Sequence, residues 1–301
     1  MDDRTELFVK WKMTERDEGV ILREYLKDTL QLSSRFIKRL KATERGILIN
    51  GEPKTVRYIL KENDLLEIQL PEEERSESVL PENIPLHILY EDEHVLVVHK
   101  EAGMPSIPSR LHPSNTLANG ILYYYDRNEI PYTVHIVTRL DKDTSGLVLV
   151  AKHQFCHSIL SEQQKMNEIE RTYVAIVHGI LDKKKGTINW PIARSPNSMI
   201  KRVVSEEGKR AITHYKVLQE IDKYSVVEVK LETGRTHQIR VHFAQLGHPL
   251  VGDDLYGGKM EKINRQALHC AKITFTHPFT NKEITFEAEV PDDMKSLLKK
   301  K

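Results

Sequence analysis

The stretch His135-Ile136-Val137-Thr138-Arg139-Leu140-Asp141-Lys142-Asp143-Thr144-Ser145-Gly146-Leu147 concentrates the groups best suited to chemistry. Apolar residues on both sides read as strands, His135–Leu140 and Leu147–Ala151, so Asp141 falls in the polar loop between them. A carboxylate held there can attack an electrophilic carbon or take a proton. The loop also begins like a calcium-binding loop, with Asp141, Asp143 and Ser145-Gly146. That chemistry needs a bidentate Glu at about the twelfth position, between two helices. Lys152 stands there and the flanks are strand-like, so calcium is excluded. A plain hairpin fits the residue types as well, with Asp and Thr bonded to their own backbone and Arg139 paired to Asp141 at the surface.

Two later segments carry further candidates. Arg171-Thr172-Tyr173-Val174-Ala175-Ile176-Val177-His178-Gly179 reads as a strand with a phenol at Tyr173. Thr233-Gly234-Arg235-Thr236-His237-Gln238-Ile239-Arg240-Val241-His242 leads into Leu246-Gly247-His248-Pro249 and Gly252-Asp253. Thr236 is the expected N-cap of a helix and Gly247 its stop, with Ile239, Phe243 and Leu246 on one face. Arg240 then lies in the first turns, beside a core-facing residue.

Other chemistries fail on spacing. There are 14 His and two Cys, yet Cys156 and Cys270 stand far apart and no His/Cys set has zinc spacing. No two glycines are spaced Gly-x-Gly and no Gly-Lys-Ser/Thr follows a glycine-rich loop, which removes nucleotide-cofactor fingerprints. Neither a metal nor a cofactor is expected.

These groups need a scaffold, and composition says which kind. The 301 residues are 39% hydrophobic and 30% charged, ordinary globular usage with room for about two domains. No apolar run approaches about 18 residues and the start lacks the order of a signal peptide, so a cytoplasmic protein off the membrane is expected. The net charge of +1 excludes a uniformly basic nucleic-acid binder, but the charge is segregated. Arg35–Arg45 holds five basic residues against one acid, and Lys61–Glu101 holds twelve acids against three bases. Such asymmetry suits either a basic face aimed at a polyanion or two solvated surfaces.

The spacing predicts an N-terminal extension over 1–13, then a helix from about Glu18 to Leu30. Ser33 or Ser34 caps a second helix with Phe36, Ile37 and Leu40 inward and Arg35, Lys38, Arg39 and Lys41 outward. A strand Ile47–Ile49, an Asn50-Gly51 hairpin turn and a strand Asp64–Leu70 close a unit over 14–70. Residues 71–85, rich in Glu and Pro, read as an extended acidic linker. From 86 to 291 the chain alternates apolar strands with helices at about 115–126, 154–166 and 237–246. This pattern indicates an α+β domain on a mixed, largely antiparallel sheet. Residues 292–301 read as a basic tail.

Taken together, His135-x-x-x-Arg139-Leu140-Asp141-x-x-Thr144-Ser145-Gly146-Leu147 and the two later segments resemble the three motifs of the RluA family of pseudouridine synthases. Leu32-Ser33-Ser34-Arg35-Phe36-Ile37-Lys38-Arg39-Leu40 and Gly46–Pro53 resemble its S4 RNA-binding module, an αα-then-β unit. The resemblance implies a cofactor-free isomerisation of uridine to pseudouridine in structured RNA, ribosomal RNA before tRNA, by a monomer. It implies that Asp141 is the catalytic carboxylate and that Tyr173 lies against the target base. A partly buried Arg240 pairs with Asp141, and Arg139 fills the space the flipped base leaves. Ser33, Arg35, Lys38 and Arg39 lie in the S4 segment expected to contact RNA. Lys201, Arg202, Lys209 and Arg210 add phosphate contacts. The loop Lys100–Ser109 departs from the family pattern Lys-Pro-x-Gly, a divergence expected to leave the chemistry alone. The alternative is a non-catalytic RNA-binding or assembly protein that keeps an inert synthase-like fold; the intact Asp141, Tyr173 and Arg240 count against it.

Overall fold

The computed structural model describes residues 8–298 apart from residues 31, 71, 72, 78 and 261. The N-terminal unit runs β1 (Phe8–Lys12), α1 (Leu22–Glu24, continued by a π-turn over Tyr25–Thr29), α2 (Ser34–Ala42), β2 (Ile47–Ile49), β3 (Glu52–Pro53) and β4 (Leu65–Gln69). Its four strands pair in the order β1-β4-β2-β3. The expected N-terminal extension is corrected by β1, which pairs antiparallel with β4 and buries Val9. Residues 1–7 of that extension lie outside the described residues. α2 forms where its cap and apolar spacing place it: the Ser33 hydroxyl accepts the Phe36 N–H at 3.2 Å, and Phe36, Ile37 and Leu40 are buried. Asn50 and Gly51 both take positive φ, 53° and 79°, as the hairpin turn requires.

The larger unit opens with β5 (His87–Glu91), β6 (Val95–Lys100), α3 (Leu117–Arg127), β7 (His135–Ile136), β8 (Ser145–Ala151) and α4 (Gln154–Lys165). It continues with β9 (Glu170–His178), β10 (Lys185–Asn189), β11 (Ile192–Arg194), β12 (Arg202–Val204), β13 (Ile212–Ile221) and β14 (Tyr224–Leu231). Last come α5 (Gln238–Gln245), β15 (Leu268–Thr276), β16 (Glu283–Glu287) and α6 (Asp292–Ser296). A ten-stranded sheet follows the path β10-β13-β14-β9-β15-β8-β6-β5, with β16 on β15 and β7 on β8. Among the described residues only β8 and β15 pair in parallel, so the sheet is mixed and largely antiparallel, an α+β fold. The expected strand His135–Leu140 stops at Ile136. The Val137 and Thr138 N–H groups both turn to the Leu149 carbonyl, and the Thr138 hydroxyl takes the Leu149 N–H, which ends the ladder.

The segment read as an extended acidic linker is a strap fastened to the larger unit. Glu73 accepts from the backbone of Thr133 at 3.1 Å and meets His135 Nε2 at 2.8 Å, and it also caps Gln154 at the start of α4. Arg75 donates to the Tyr132 and Ile130 carbonyls and pairs with Asp126. Pro71, Glu72 and Ser78 of this segment lie outside the described residues. The same α4 receives the N-terminal unit. Phe155 and Ile159 belong to that unit's core, and Trp11 stacks on Phe279 with ring centres 5.8 Å apart. The two units therefore share an apolar junction.

The basic tail expected over 292–301 is also corrected. Met294 and Leu297 of the α6 region are buried in a small core with Val251 and Ile263, and Asp293 forms a forked ion pair with Arg265. Only residues 299–301 of that stretch lie outside the described residues.

Candidate active site

The loop between β7 and β8 brings Asp141 to the start of the only parallel pairing in the described sheet. There Gly146 sits at φ 116°, and a Cβ on it would lie 2.2 Å from the Cys270 carbonyl oxygen. A side chain is therefore excluded by the close approach of β8 and β15. Cys270 pairs with Gly146 on one side and with Tyr173 of β9 on the other. One row across three strands thus sets the lateral position of Tyr173 relative to the Asp141 loop. Tyr173 is buried, and burial pushes its phenol well above the ordinary range, so it works as a neutral hydroxyl.

α5 approaches the same loop from the other direction. Ile239 and Phe243 enter the main core, and Tyr215 meets Phe243 edge-on. The helix entrance is fixed by Gln238, whose amide donates to the Ile212 carbonyl at 2.9 Å and to the Thr213 hydroxyl at 3.0 Å. His237, not Thr236, is the N-cap residue, and it takes a left-handed conformation at φ 57°. Gly247 at φ 89° follows the helix end as expected.

Arg240 does reach Asp141, with Nη1 3.4 Å from Oδ2, but its main partner is another residue. Nε and Nη2 fork onto Asp253 at 2.7 and 2.8 Å, and the Asp253 side chain is fully buried. The expected Arg240–Asp141 pair is thus one arm of a three-residue arrangement in which Asp253 aims the guanidinium. Burial opposes the Arg240 charge, yet the bonds and charge of Asp253, with Asp141 behind them, raise its pKa further above the ordinary arginine value. The guanidinium also lies over the Tyr256 ring, 5.1 Å from its centre. His237 Nε2 stands 3.9 Å from Asp141 Oδ2.

The backbone of the Asp141 loop is held almost residue by residue. The Ser106 hydroxyl donates to the Leu140 carbonyl at 2.8 Å and accepts its N–H at 3.1 Å. Arg265 reaches the Asp143 carbonyl at 3.3 Å, and Gln266 reaches the Thr144 hydroxyl at 3.2 Å. Lys100, fully buried, donates to the carbonyls of Glu101, Met104 and Lys142 at 2.8, 2.7 and 2.9 Å. Burial pushes its ammonium down to about 7, against the pull of Asp143 and Asp141. Three carbonyls matched to three donors favour the protonated form. Lys100 and Ser106 of the Lys100–Ser109 loop thus brace the backbone on either side of Asp141.

Lys100→Met strips three buried carbonyls of their donor. It is expected to destabilise the fold by about 2–4 kcal/mol. Denaturant unfolding checks this, and wild-type stability would remove the lysine from the loop's support.

The other sequence-derived candidates divide by position. Arg139 is exposed, two residues before Asp141. On α2, Arg35, Lys38, Arg39 and Lys41 are exposed, and Arg39 bonds Gln154 of α4. Ser33 is half-buried, its N–H donating to Ser158 at 3.4 Å while its hydroxyl serves as the cap. Those two candidates belong to the junction between the units as well as to the helix. Among the described residues no group of three or more His, Cys, Asp or Glu is placed to hold a metal ion, and no helix is long and apolar enough to cross a membrane.

Residues 94–245 match the sequence model of a family described as RNA pseudouridylate synthase. The chain is 51% identical over 270 residues to an uncharacterized RNA pseudouridine synthase, YjbO of Bacillus subtilis, covering 90% of this chain and 95% of that one. It is 36% identical over 273 residues to ribosomal large subunit pseudouridine synthase D of Escherichia coli O6:H1, covering 85% and 82%. Among solved structures, human RNA pseudouridylate synthase domain containing 1 superposes with a TM-score of 0.57 at 26% identity, over 72% of this chain and 86% of that one.

Proposed function

The chain belongs to the RNA pseudouridylate synthase family, and we propose that it isomerises uridines of ribosomal RNA with Asp141 as its catalytic carboxylate. The observation that carries the assignment is the convergence of Asp141, Arg240 and Tyr173, from a loop, a helix and a strand, where β8 meets β15. The reaction breaks the bond from N1 to C1′ and joins C1′ to C5 of the same base, so no redox partner is required. Asp141 serves either by attacking C1′ or C6 or by taking the 2′ proton. Arg240, aimed by Asp253, supplies its counter-charge. Tyr173 gives the detached base an aromatic wall against which to turn. The target must leave its helix to be reached, at a cost of about a few kcal/mol, and exposed Arg139 would occupy the vacated space. Ribosomal RNA is the proposed substrate because the Escherichia coli relative of similar length is named for the large ribosomal subunit. Cytoplasmic location and a monomeric state belong to the same proposal.

Comparing pseudouridine maps of total RNA from cells with and without this gene tests activity and target together. Loss of sites in ribosomal RNA supports the proposal. Loss confined to tRNA would reassign the substrate, and an unchanged map would sink the cellular activity.

The N-terminal unit is proposed as an S4-like RNA-binding module whose α2 touches phosphates. Replacing Arg35, Lys38 and Lys41 by Ala is expected to weaken RNA binding and to reduce the slope of log affinity against log salt by about 2–3. Turnover on saturating RNA should stay near wild type. Filter binding at several salt concentrations checks it, and an unchanged slope would remove α2 from the interface. Deleting the unit is the poorer experiment, because it uncovers Phe155 and Ile159.

A further inference from the structure

We propose that His237 is a positioning residue for this reaction: a neutral imidazole, held at Nδ1 by Tyr256, that turns an Nε2–H toward Asp141 and keeps the carboxylate aimed while the base is detached and rejoined. The inference rests on the assignment of Asp141 as the catalytic carboxylate. Two side chains approach that carboxylate, Arg240 at 3.4 Å and His237 at 3.9 Å. The arginine's fork is already committed to Asp253, whereas the His237 Nε2 faces Asp141.

The backbone carries the same message. Among the described residues, seven of the eight non-glycine positions at positive φ are Asn, Asp or Glu, and His237 at φ 57° is the eighth. Such a conformation persists where the surroundings over-determine it. Here the surroundings are Gln238 pinned below and Tyr256 pinned beside.

One tautomer of the network suits this role. The Tyr256 hydroxyl accepts the Arg202 N–H at 2.9 Å, and in the proposed tautomer it turns its one proton to His237 Nδ1, also at 2.9 Å. A neutral imidazole that accepts at Nδ1 carries its proton on Nε2, the nitrogen facing Asp141. The charged and titratable groups around His237 are Asp141 on the loop, Arg240 on α5, Arg202 on β12, and Asp253 and Tyr256 after α5. Burial lowers the His237 pKa, Asp141 opposes that, and Arg240 and Arg202 reinforce it. The neutral form therefore persists below the ordinary histidine range. Protonation at still lower pH sets a cation beside Asp141 and makes the carboxylate a weaker base and nucleophile.

Two substitutions separate the nitrogens. His237→Asn tolerates the left-handed backbone and can still serve Tyr256, but it is too short to face Asp141. His237→Gln places an amide N–H near the position of Nε2 and cannot titrate. With C5-tritiated RNA, the Asn variant is expected to lose about ten- to a hundredfold in kcat with KM unchanged. The Gln variant should regain most of that rate and shift the acid limb of the kcat profile to lower pH. Tyr256→Phe, which frees Nδ1, should displace the acid limb without changing KM, and it serves if either histidine variant does not fold. An Asn variant with wild-type kcat, or a Gln variant as slow as Asn with an unmoved acid limb, would overturn the proposal. Asp141→Asn run alongside keeps the two assignments apart, since full activity there would unseat Asp141 itself whatever His237 does.

Discussion

Asp141→Asn is expected to lower turnover by at least about a thousandfold while RNA still binds. The amide keeps the size of the carboxylate and can stay near Arg240, so the loop braced by Ser106 and Lys100 has no reason to move. What disappears is the negative oxygen that could attack C1′ or C6 or accept the 2′ proton. Each of the three routes stops, so the result does not depend on choosing among them. Asp143 is the internal control: its carbonyl, not its carboxylate, is what Arg265 holds, and Asp143→Asn should retain most activity. Tritium release and RNA binding measured on both variants decide the matter. An active Asp141→Asn enzyme would falsify the catalytic assignment.

The second large effect is on stability. Arg240→Met leaves the fully buried Asp253 carboxylate without its forked partner, at a cost of about 3–5 kcal/mol. For a domain of this size that lowers Tm by roughly 10 °C. Arg240→Lys is not a mild change here. A lysine keeps a charge but cannot bond both Asp253 oxygens and also reach Asp141. It should recover part of the stability and little of the turnover. The double variant Arg240→Met, Asp253→Leu removes both buried charges and should regain stability without activity. If Arg240→Met alone melts like the wild type, Asp253 is not what holds the arginine.

Much of this was legible from residue order because the strands alternate and the motifs are local. β2, β8 and β9, the cap at Ser33 and the stop at Gly247 each depend on neighbours within a few positions. β1 is too short for the alternation of Val9 and Trp11 with Lys10 and Lys12 to distinguish a strand from an extension. β10, β11 and β12 escaped because residues 185–204 are polar and show little alternation. Asp253 and Lys100 escaped for another reason. Asp253 serves an arginine 13 residues away, and Lys100 ties two nearby carbonyls to that of Lys142, 42 residues on, which local spacing cannot predict. The strap shows the opposite failure. Its composition predicts a solvated chain, yet Glu73 and Arg75 find partners that only tertiary structure provides.

If α2 and the Asp141 loop both meet RNA as proposed, that strap and the Trp11–Phe279 contact hold them as a caliper. The gap between the exposed lysines of α2 and the Asp141 loop is then set by the protein before any RNA arrives, so an RNA is measured as well as bound. A fold whose phosphate ridge and target uridine match that span engages both jaws at little cost in ordering the enzyme. One with the right bases at the wrong distance can satisfy only one jaw and forfeits the gain of simultaneous engagement. Selection among uridines then depends on the three-dimensional spacing of the RNA as well as its sequence.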